Sequence, residues 1–179
     1  MQLHLVRHGD AKQSNDDFSR ALSEKGVLEV ELLSRKIKEG IEQNKIFINR
    51  IYHSNLLRAK ETAEIIFKTI LKNENNKNNS NNNNKLFLEE DNDLSLYNDN
   101  YLYIVDKLKN YSENENTEGI MLVGHMPSLT KIGEYLVRAN ATNKNSRIDF
   151  SFATANMVSL ERDNNDEWNY LWKITPKDK

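Results

Sequence analysis

The chain has 179 residues, no cysteine and a net charge of −2, and its lysines and arginines are dispersed rather than clustered. With a pI near 6.1, this argues against nucleic acid or an anionic membrane as the main partner. The missing thiols exclude disulfides, thiolate metal sites and a cysteine nucleophile. The length suits one domain spanning residues 1–179.

Mean hydropathy is low, at −0.78, in part because residues 73–84 hold nine asparagines in twelve positions. Such a stretch buries nothing, so residues 73–85 are expected to be a disordered loop. The stretch MQLHLVRHGD lacks the basic region and long apolar core of a signal peptide, and no run approaches membrane-spanning length. A soluble, cytoplasmic protein is the expectation.

Residues 2–6 read as a short apolar strand. Val27, Val30, Leu33, Ile37 and Ile41 recur at helical spacing, with Ser23 as N-cap and Gly40 as the stop. NRIYHS (49–54) reads as a second strand running into a helix over 56–72, whose apolar face carries Ala59, Ala63, Ile66, Phe67, Ile70 and Leu71. LFLEE (86–90) predicts a third strand, and a helix is expected over 101–111. GIMLVGH (119–125) is almost wholly apolar, as a strand covered on both faces should be. A helix over 128–138 follows. Two strands near 150–161 and 167–174, separated by the turn residues DNND, read as a hairpin.

This alternation predicts an α/β three-layer sandwich, a mainly parallel sheet flanked by helices with a C-terminal hairpin. Ligands in such folds bind where strands end and loops lead to the next helix. Strand one delivers Arg7, His8, Gly9 and Asp10 to that edge. Strand two delivers His53, Ser54 and, a helical turn later, Arg58; strand four delivers Gly124 and His125. The asparagine run falls on the opposite edge, away from the chemistry.

Two histidines and two arginines converging from three segments suit phosphoryl transfer. Guanidinium groups hold non-bridging oxygens in planar, bidentate geometry. A neutral imidazole is a competent nucleophile toward phosphorus, and a second histidine can stabilise the charge of the transition state. Gly9 permits close backbone approach, and the helix N-termini beyond Ser54 and Met126 add partial positive charge.

LVRHGDA (5–11), YHSNLLRAKETAEII (52–66) and LVGHMPSL (122–129) resemble the three signatures of the histidine phosphatase, or phosphoglycerate mutase-like, superfamily. The short chain and the DA that follows RHG resemble its small phosphohistidine phosphatase branch, the SixA type. The resemblance implies that His8 is the phosphorylated nucleophile. Arg7, Gly9, Arg58 and His125 would then bind the phosphate, with no metal or other cofactor. Asn55 stands where many relatives have proline, and Met126 where many have asparagine, which bears on substrate preference.

Relatives acting on esters need a carboxylic acid to protonate the leaving alkoxide. Asp93 is the preferred candidate here, with Glu90, Asp91 and Asp10 as others. A phosphohistidine substrate would ask less, because its leaving imidazole has a conjugate-acid pKa near ~6.5. The expected function is therefore a phosphatase acting on phosphohistidine in a phosphorelay or phosphocarrier protein. The alternatives are a broad-specificity phosphatase of small phosphate esters and a phospho-ligand binding module without turnover. The sequence leaves the oligomeric state open.

Other groups read as structural. On a strand, His4 and His8 lie about 13 Å apart, too far to share a metal ion. His4 reads as a partly buried strand residue. Trp168, Tyr170 and Trp172 alternate, which puts them on one face of the last strand for sheet packing.

Overall fold

The computed structural model describes residues 1–72, 85–95, 101–112, 118–138 and 148–177. Side-chain alternation along three central strands decides how the layers form. In β1 (Gln2–Arg7), Leu3 and Leu5 face one side of the sheet, while Val6 faces the other. In β4 (Gly119–Gly124), Ile120 and Leu122 share the first face, and Met121 and Val123 the second. In β2 (Arg50–His53), Ile51 lies on the second face and Tyr52 on the first.

Each face must therefore be covered, and amphipathic helices cover both. Helices α1 (Glu24–Glu42) and α2 (Leu57–Leu71) bury Val30, Leu33, Ile37, Ala59, Ala63 and Ile66 against the second face. Helices α3 (Tyr101–Ser112) and α4 (Ser128–Arg138) bury Ile104, Leu108, Leu129, Ile132 and Leu136 against the first. Each fully buried Leu or Ile contributes about 1.5–3 kcal/mol through removal from water.

The strands, with β3 (Phe87–Glu90), β5 (Met157–Arg162) and β6 (Trp168–Ile174), form one six-stranded sheet in the order β3-β2-β4-β1-β5-β6. The first four are parallel. β5 runs antiparallel to β1, and β6 antiparallel to β5. The expected three-layer α/β architecture is the one observed. β1 and β4 are neighbours, yet the helix after β1 covers one face and the helix after β4 the other. Their carboxyl ends thus open a crevice at a topological switch point.

Several local expectations need correction. Ser23 does cap α1, its side chain accepting from Gly26 N–H, but Gly40 does not end the helix, which continues to Glu42. Gly40 instead makes room for Ile46, whose Cδ1 lies 2.4 Å from where a Cβ would stand. The fifth strand starts at Met157 and not near 150, because Phe150–Asn156 forms the loop that runs past the end of β1. Of the expected asparagine-rich loop over 73–85, all but Lys85 lies outside the described residues. Among the described residues, no helix is long and apolar enough to cross a membrane.

The last strand carries a further correction. Leu160 pairs with Tyr170 while Ser159 pairs with Trp172, so Leu171 is one residue too many and the pairing register shifts. A bulge of this kind reverses which face the following side chains meet. Trp168 and Tyr170 therefore pack with the first core cluster, and Trp172 with the second. There Trp172 stacks on His4, with ring centroids 6.0 Å apart.

His4 is fully rather than partly buried. Its Nε2–H donates to the Phe47 carbonyl at 3.1 Å, and its Nδ1 accepts from the Ser159 hydroxyl at 2.8 Å. Burial pushes its pKa down to about 4, with the Phe47 carbonyl opposing the shift. The unfolded chain binds this proton near ~6.5, so between these values unfolding takes up a proton and acid favours it. His4 stabilisation is complete above the unfolded value and is lost as pH falls toward 4, amounting to about 2 kcal/mol by pH 5. Urea unfolding at pH 7.5 and 5 should show this loss. A His4→Phe variant, though less stable at pH 7.5, should lose less on acidification.

Candidate active site

Four of the sequence-predicted residues, Arg7, His8, Arg58 and His125, converge at the crevice between β1 and β4. The backbone at the end of β1 is held on both sides. His8 N–H donates to the Gly124 carbonyl at 3.1 Å, and Ala155 N–H donates to the His8 carbonyl at 3.2 Å. The chain then turns away at Gly9, where a Cβ would lie 2.7 Å from Val30 Cγ2 and 2.9 Å from the Gly26 carbonyl oxygen. No side chain fits there, so the turn follows directly on His8.

Two bonds settle the hydrogen on His8. Its Nδ1 lies 2.7 Å from the Gly9 carbonyl oxygen, which can only accept. Nδ1 therefore carries the hydrogen, and Nε2 is left with its lone pair. Arg58 Nε–H donates to that Nε2 at 3.3 Å. Burial pushes the His8 pKa down to about 4, opposed by the Gly9 carbonyl and reinforced by the charges of Arg58, Arg7 and Arg20. At neutral pH the ring is uncharged and presents one nitrogen lone pair beside a guanidinium.

His125, on the loop between β4 and α4, lies with its ring centroid 4.9 Å from that of His8. Its Nε2 is 2.9 Å from the Ser54 hydroxyl, which also accepts from Leu56 N–H at 3.2 Å. Assigning the Ser54 proton to His125 Nε2 leaves Nδ1 carrying the His125 hydrogen. Burial drives the His125 pKa down to about 3, an effect that a proton on His8 and the charge of Arg58 reinforce. Arg7 Nη1–H donates to the Phe152 carbonyl at 2.7 Å. Arg7 Nε and His125 Nδ1 are buried without a hydrogen-bond partner among the described residues. Buried polar groups are nearly always paired, and two unpaired nitrogens beside a guanidinium suit an oxyanion.

Thr62, which the sequence reading passed over, ties the two halves of this arrangement. Gly9 N–H donates to its hydroxyl oxygen at 3.1 Å, and that hydroxyl donates to the Arg58 carbonyl at 2.7 Å. Asp17 and Arg20 were also missed. Asp17 takes Arg58 Nη1–H on its backbone oxygen at 2.7 Å and Arg58 Nη2–H on its carboxylate at 3.1 Å. Arg20 pairs with the other carboxylate oxygen at 3.0 Å. Nothing in QSNDDFSR distinguishes Asp17 from its neighbour Asp16.

The candidate acids are engaged elsewhere or exposed. Asp10 accepts from the Ser23 hydroxyl at 2.6 Å and ties the turn after β1 to the start of α1. Lys107 donates to both oxygens of Asp91, at 3.0 and 3.1 Å, and is ion-paired with Asp93. Burial lowers the Lys107 pKa, but the bonds it donates to Asp93 and Asp91 outweigh this and raise it overall. Glu90 is exposed at the end of β3. His53 is buried, its Nδ1 2.9 Å from the Ser54 carbonyl oxygen. Among the described residues, no group of three or more His, Asp or Glu is disposed to hold a metal ion.

Residues 3–75 match the model of the histidine phosphatase superfamily (branch 1). No curated protein matches the chain in sequence. The protein histidine phosphatase SixA, solved in complex with tungstate, has the same fold, with a TM-score of 0.72 at 21% identity over 98% of this chain and 97% of that one. A protein from Agrobacterium tumefaciens proposed to be a phosphohistidine phosphatase SixA gives 0.67 at 17% identity, over 98% and 97%. A mycobacterial glucosyl-3-phosphoglycerate phosphatase gives 0.61 at 13%, over 96% and 98%. The sequence resemblance to the histidine phosphatase superfamily thus covers residues 3–75, and the likeness of fold to these solved structures covers nearly the whole chain.

Two predictions follow from the bonding. Thr62→Val keeps the shape but leaves the Gly9 N–H unpaired, and should cost about 1–3 kcal/mol in urea unfolding. With an aryl phosphate, kcat/KM corrected for substrate ionisation should stay flat to about pH 5. Below that it should fall as His8 gains a proton near 4, since a protonated ring has no lone pair to offer. A break near 6.5 would contradict the burial effect.

Proposed function

We propose that the chain is a phosphatase that works through a covalent phosphohistidine on His8, with phosphohistidine on a protein as its substrate. The observation that carries the reading is the fixed tautomer of His8. Its Nδ1–H is bound to the Gly9 carbonyl, its ring is neutral, and its Nε2 lone pair faces Arg58.

In the first step Nε2 attacks phosphorus, the N–P bond to His8 forms, and the bond to the substrate ring, which carries a proton on its other nitrogen, breaks with its electron pair to release neutral imidazole. Arg58, Arg7 and His125 donate to the phosphoryl oxygens as charge redistributes over them. In the second step water attacks the same phosphorus, the N–P bond breaks back onto Nε2, and inorganic phosphate and a proton are released. The Gly9 carbonyl stabilises the partial positive charge on the ring while His8 carries the phosphoryl group.

The nature of the leaving group favours phosphohistidine over an alkyl ester. An alkoxide leaves only with a proton from an acid. Lys107 donates to both oxygens of Asp91 and is ion-paired with Asp93, and Asp10 accepts from Ser23, so each of these candidate acids is already engaged within the protein. A phosphohistidine protonated on its other ring nitrogen already carries the needed proton and leaves as neutral imidazole, whose conjugate-acid pKa is near ~6.5. The protein histidine phosphatase that shares the fold over 97% of its own length supports the same substrate class. A binding module would not require a buried, neutral nucleophile.

The test is phosphate release by the wild type and by His8→Ala, from a phosphohistidine protein and from an aryl phosphate. The wild type is expected to act on the first at least about 10-fold faster in kcat/KM, and the variant to lose more than ~10³-fold on both. A preference for the ester would overturn the substrate assignment. An active His8→Ala variant would overturn the nucleophile.

A further inference from the structure

The loop between β1 and α1 supplies Asp17 to the Arg58 guanidinium and Arg20 to Asp17, and their geometry bears on how Arg58 is presented. An arginine has two hydrogen-bonding edges: the outer one, made by its two terminal nitrogens, and a lateral one, made by Nε and Nη2. In Arg58 the outer edge is taken. Nη1–H donates to the Asp17 carbonyl at 2.7 Å and Nη2–H to its carboxylate at 3.1 Å. The lateral edge is turned on His8, with Nε–H 3.3 Å from Nε2. A phosphoryl group bonded to that Nε2 would bring two oxygens against the two N–H groups of this edge, which is the bidentate geometry that favours arginine.

The other oxygen of Asp17 pairs with Arg20 Nη1 at 3.0 Å, so one carboxylate holds two guanidiniums. The Arg20 stem is fixed in turn by Nε–H donating to the Lys12 carbonyl at 2.9 Å. Both side chains are about one-third exposed, 31% for Asp17 and 32% for Arg20, so they stand at the mouth of the site. Arg20 also lines an open pocket of about 570 Å³ with Gln13, Ser14 and Asn15.

The loop has a built frame. Its base is closed by the Ala11–Leu22 bridge and by Lys12 N–H to the Ala21 carbonyl at 2.9 Å. Leu22 N–H donates to Glu61 on α2 at 2.6 Å, and Leu57 N–H donates to the Phe18 carbonyl at 3.1 Å. Arg7, Arg58 and Arg20 set against Asp17 leave two positive charges, the complement of a phosphoryl dianion.

We propose that Asp17 and Arg20 are a positioning pair for the phosphoryl group, Asp17 aiming the lateral edge of Arg58 at it and holding Arg20 as a third guanidinium at the mouth of the site. This rests on the phosphatase reading and adds to it two residues of the β1–α1 loop. A carboxylate in this role neither donates a proton nor touches phosphorus; it acts through the arginines.

The test uses the full chain with an aryl phosphate as substrate and inorganic phosphate as competing inhibitor. Asp17→Asn is expected to raise the phosphate inhibition constant about 10-fold or more and to lower kcat/KM by about 10- to 100-fold. Arg20→Ala is expected to raise KM by roughly 5- to 10-fold with kcat within about twofold, and Arg20→Lys to recover part of that loss. A purely structural pair would lower the urea midpoint and leave the inhibition constant of the folded enzyme unchanged. Inhibition constants within about twofold of wild type in both Asp17→Asn and Arg20→Ala would overturn the proposal. Should Asp17→Asn not fold, the two Arg20 variants still decide it. A wild type that neither hydrolyses the aryl phosphate nor binds phosphate would overturn the proposed function instead.

Discussion

A guanidinium buried to 2% exposure is the constraint around which this site is organised. A cation taken so far out of water is tolerated only when its donors are paired with groups of suitable charge and direction. Arg58 meets that requirement with three partners from two segments: the Asp17 carboxylate, the Asp17 carbonyl and the bare nitrogen of His8. Each partner is then fixed by the need to satisfy the cation. The loop after β1 must return to bring Asp17 in, and His8 must stay neutral with its hydrogen on the far nitrogen. The start of α2 must sit against the turn at Gly9, where Thr62 joins the two.

The same burial that costs free energy at Arg58 does useful chemistry at the histidines. Removing an imidazole from water disfavours its charged form, which lowers His8 to about 4 and His125 to about 3. Two rings in contact beside arginines would repel one another if protonated, so the cluster is consistent only when both are neutral. His4 obeys the same physics on the second face of the sheet, where the outcome is packing against Trp172 rather than reactivity. Environment separates them: the His4 nitrogens are bonded to a carbonyl and a hydroxyl, whereas the His8 lone pair is met by a guanidinium.

Much of the fold was legible because its elements are strongly periodic. The helices with Val30, Leu33 and Ile37 or with Ala59, Ala63 and Ile66 have one apolar face each, and β4 is apolar throughout. Motifs at strand ends were legible for the same reason, since Arg7, His8 and His125 stand where an apolar run stops. What escaped reading was aperiodic. Asp17 and Arg20 lie in a polar loop where every second residue has similar chemistry, and their roles exist only through contact with Arg58, 41 positions from Asp17. Asp93 looked like an acid by position, but Lys107, on a separate helix, pairs with it.

The chain by itself determined the layering, the parallel strands and the arrival of two histidines and two arginines at one sheet edge, because hydrophobic periodicity and strand ends are local properties. Only the tertiary structure decided which nitrogen of His8 bears the hydrogen, which edge of Arg58 faces it and which carboxylates remain available. These are settled by hydrogen bonds between segments far apart in sequence. The extra residue in β6 belongs to the same class. The alternation of Trp168, Tyr170 and Trp172 reads as one face, yet pairing with β5 excludes Leu171 from the register and sends Trp172 to His4 on the other.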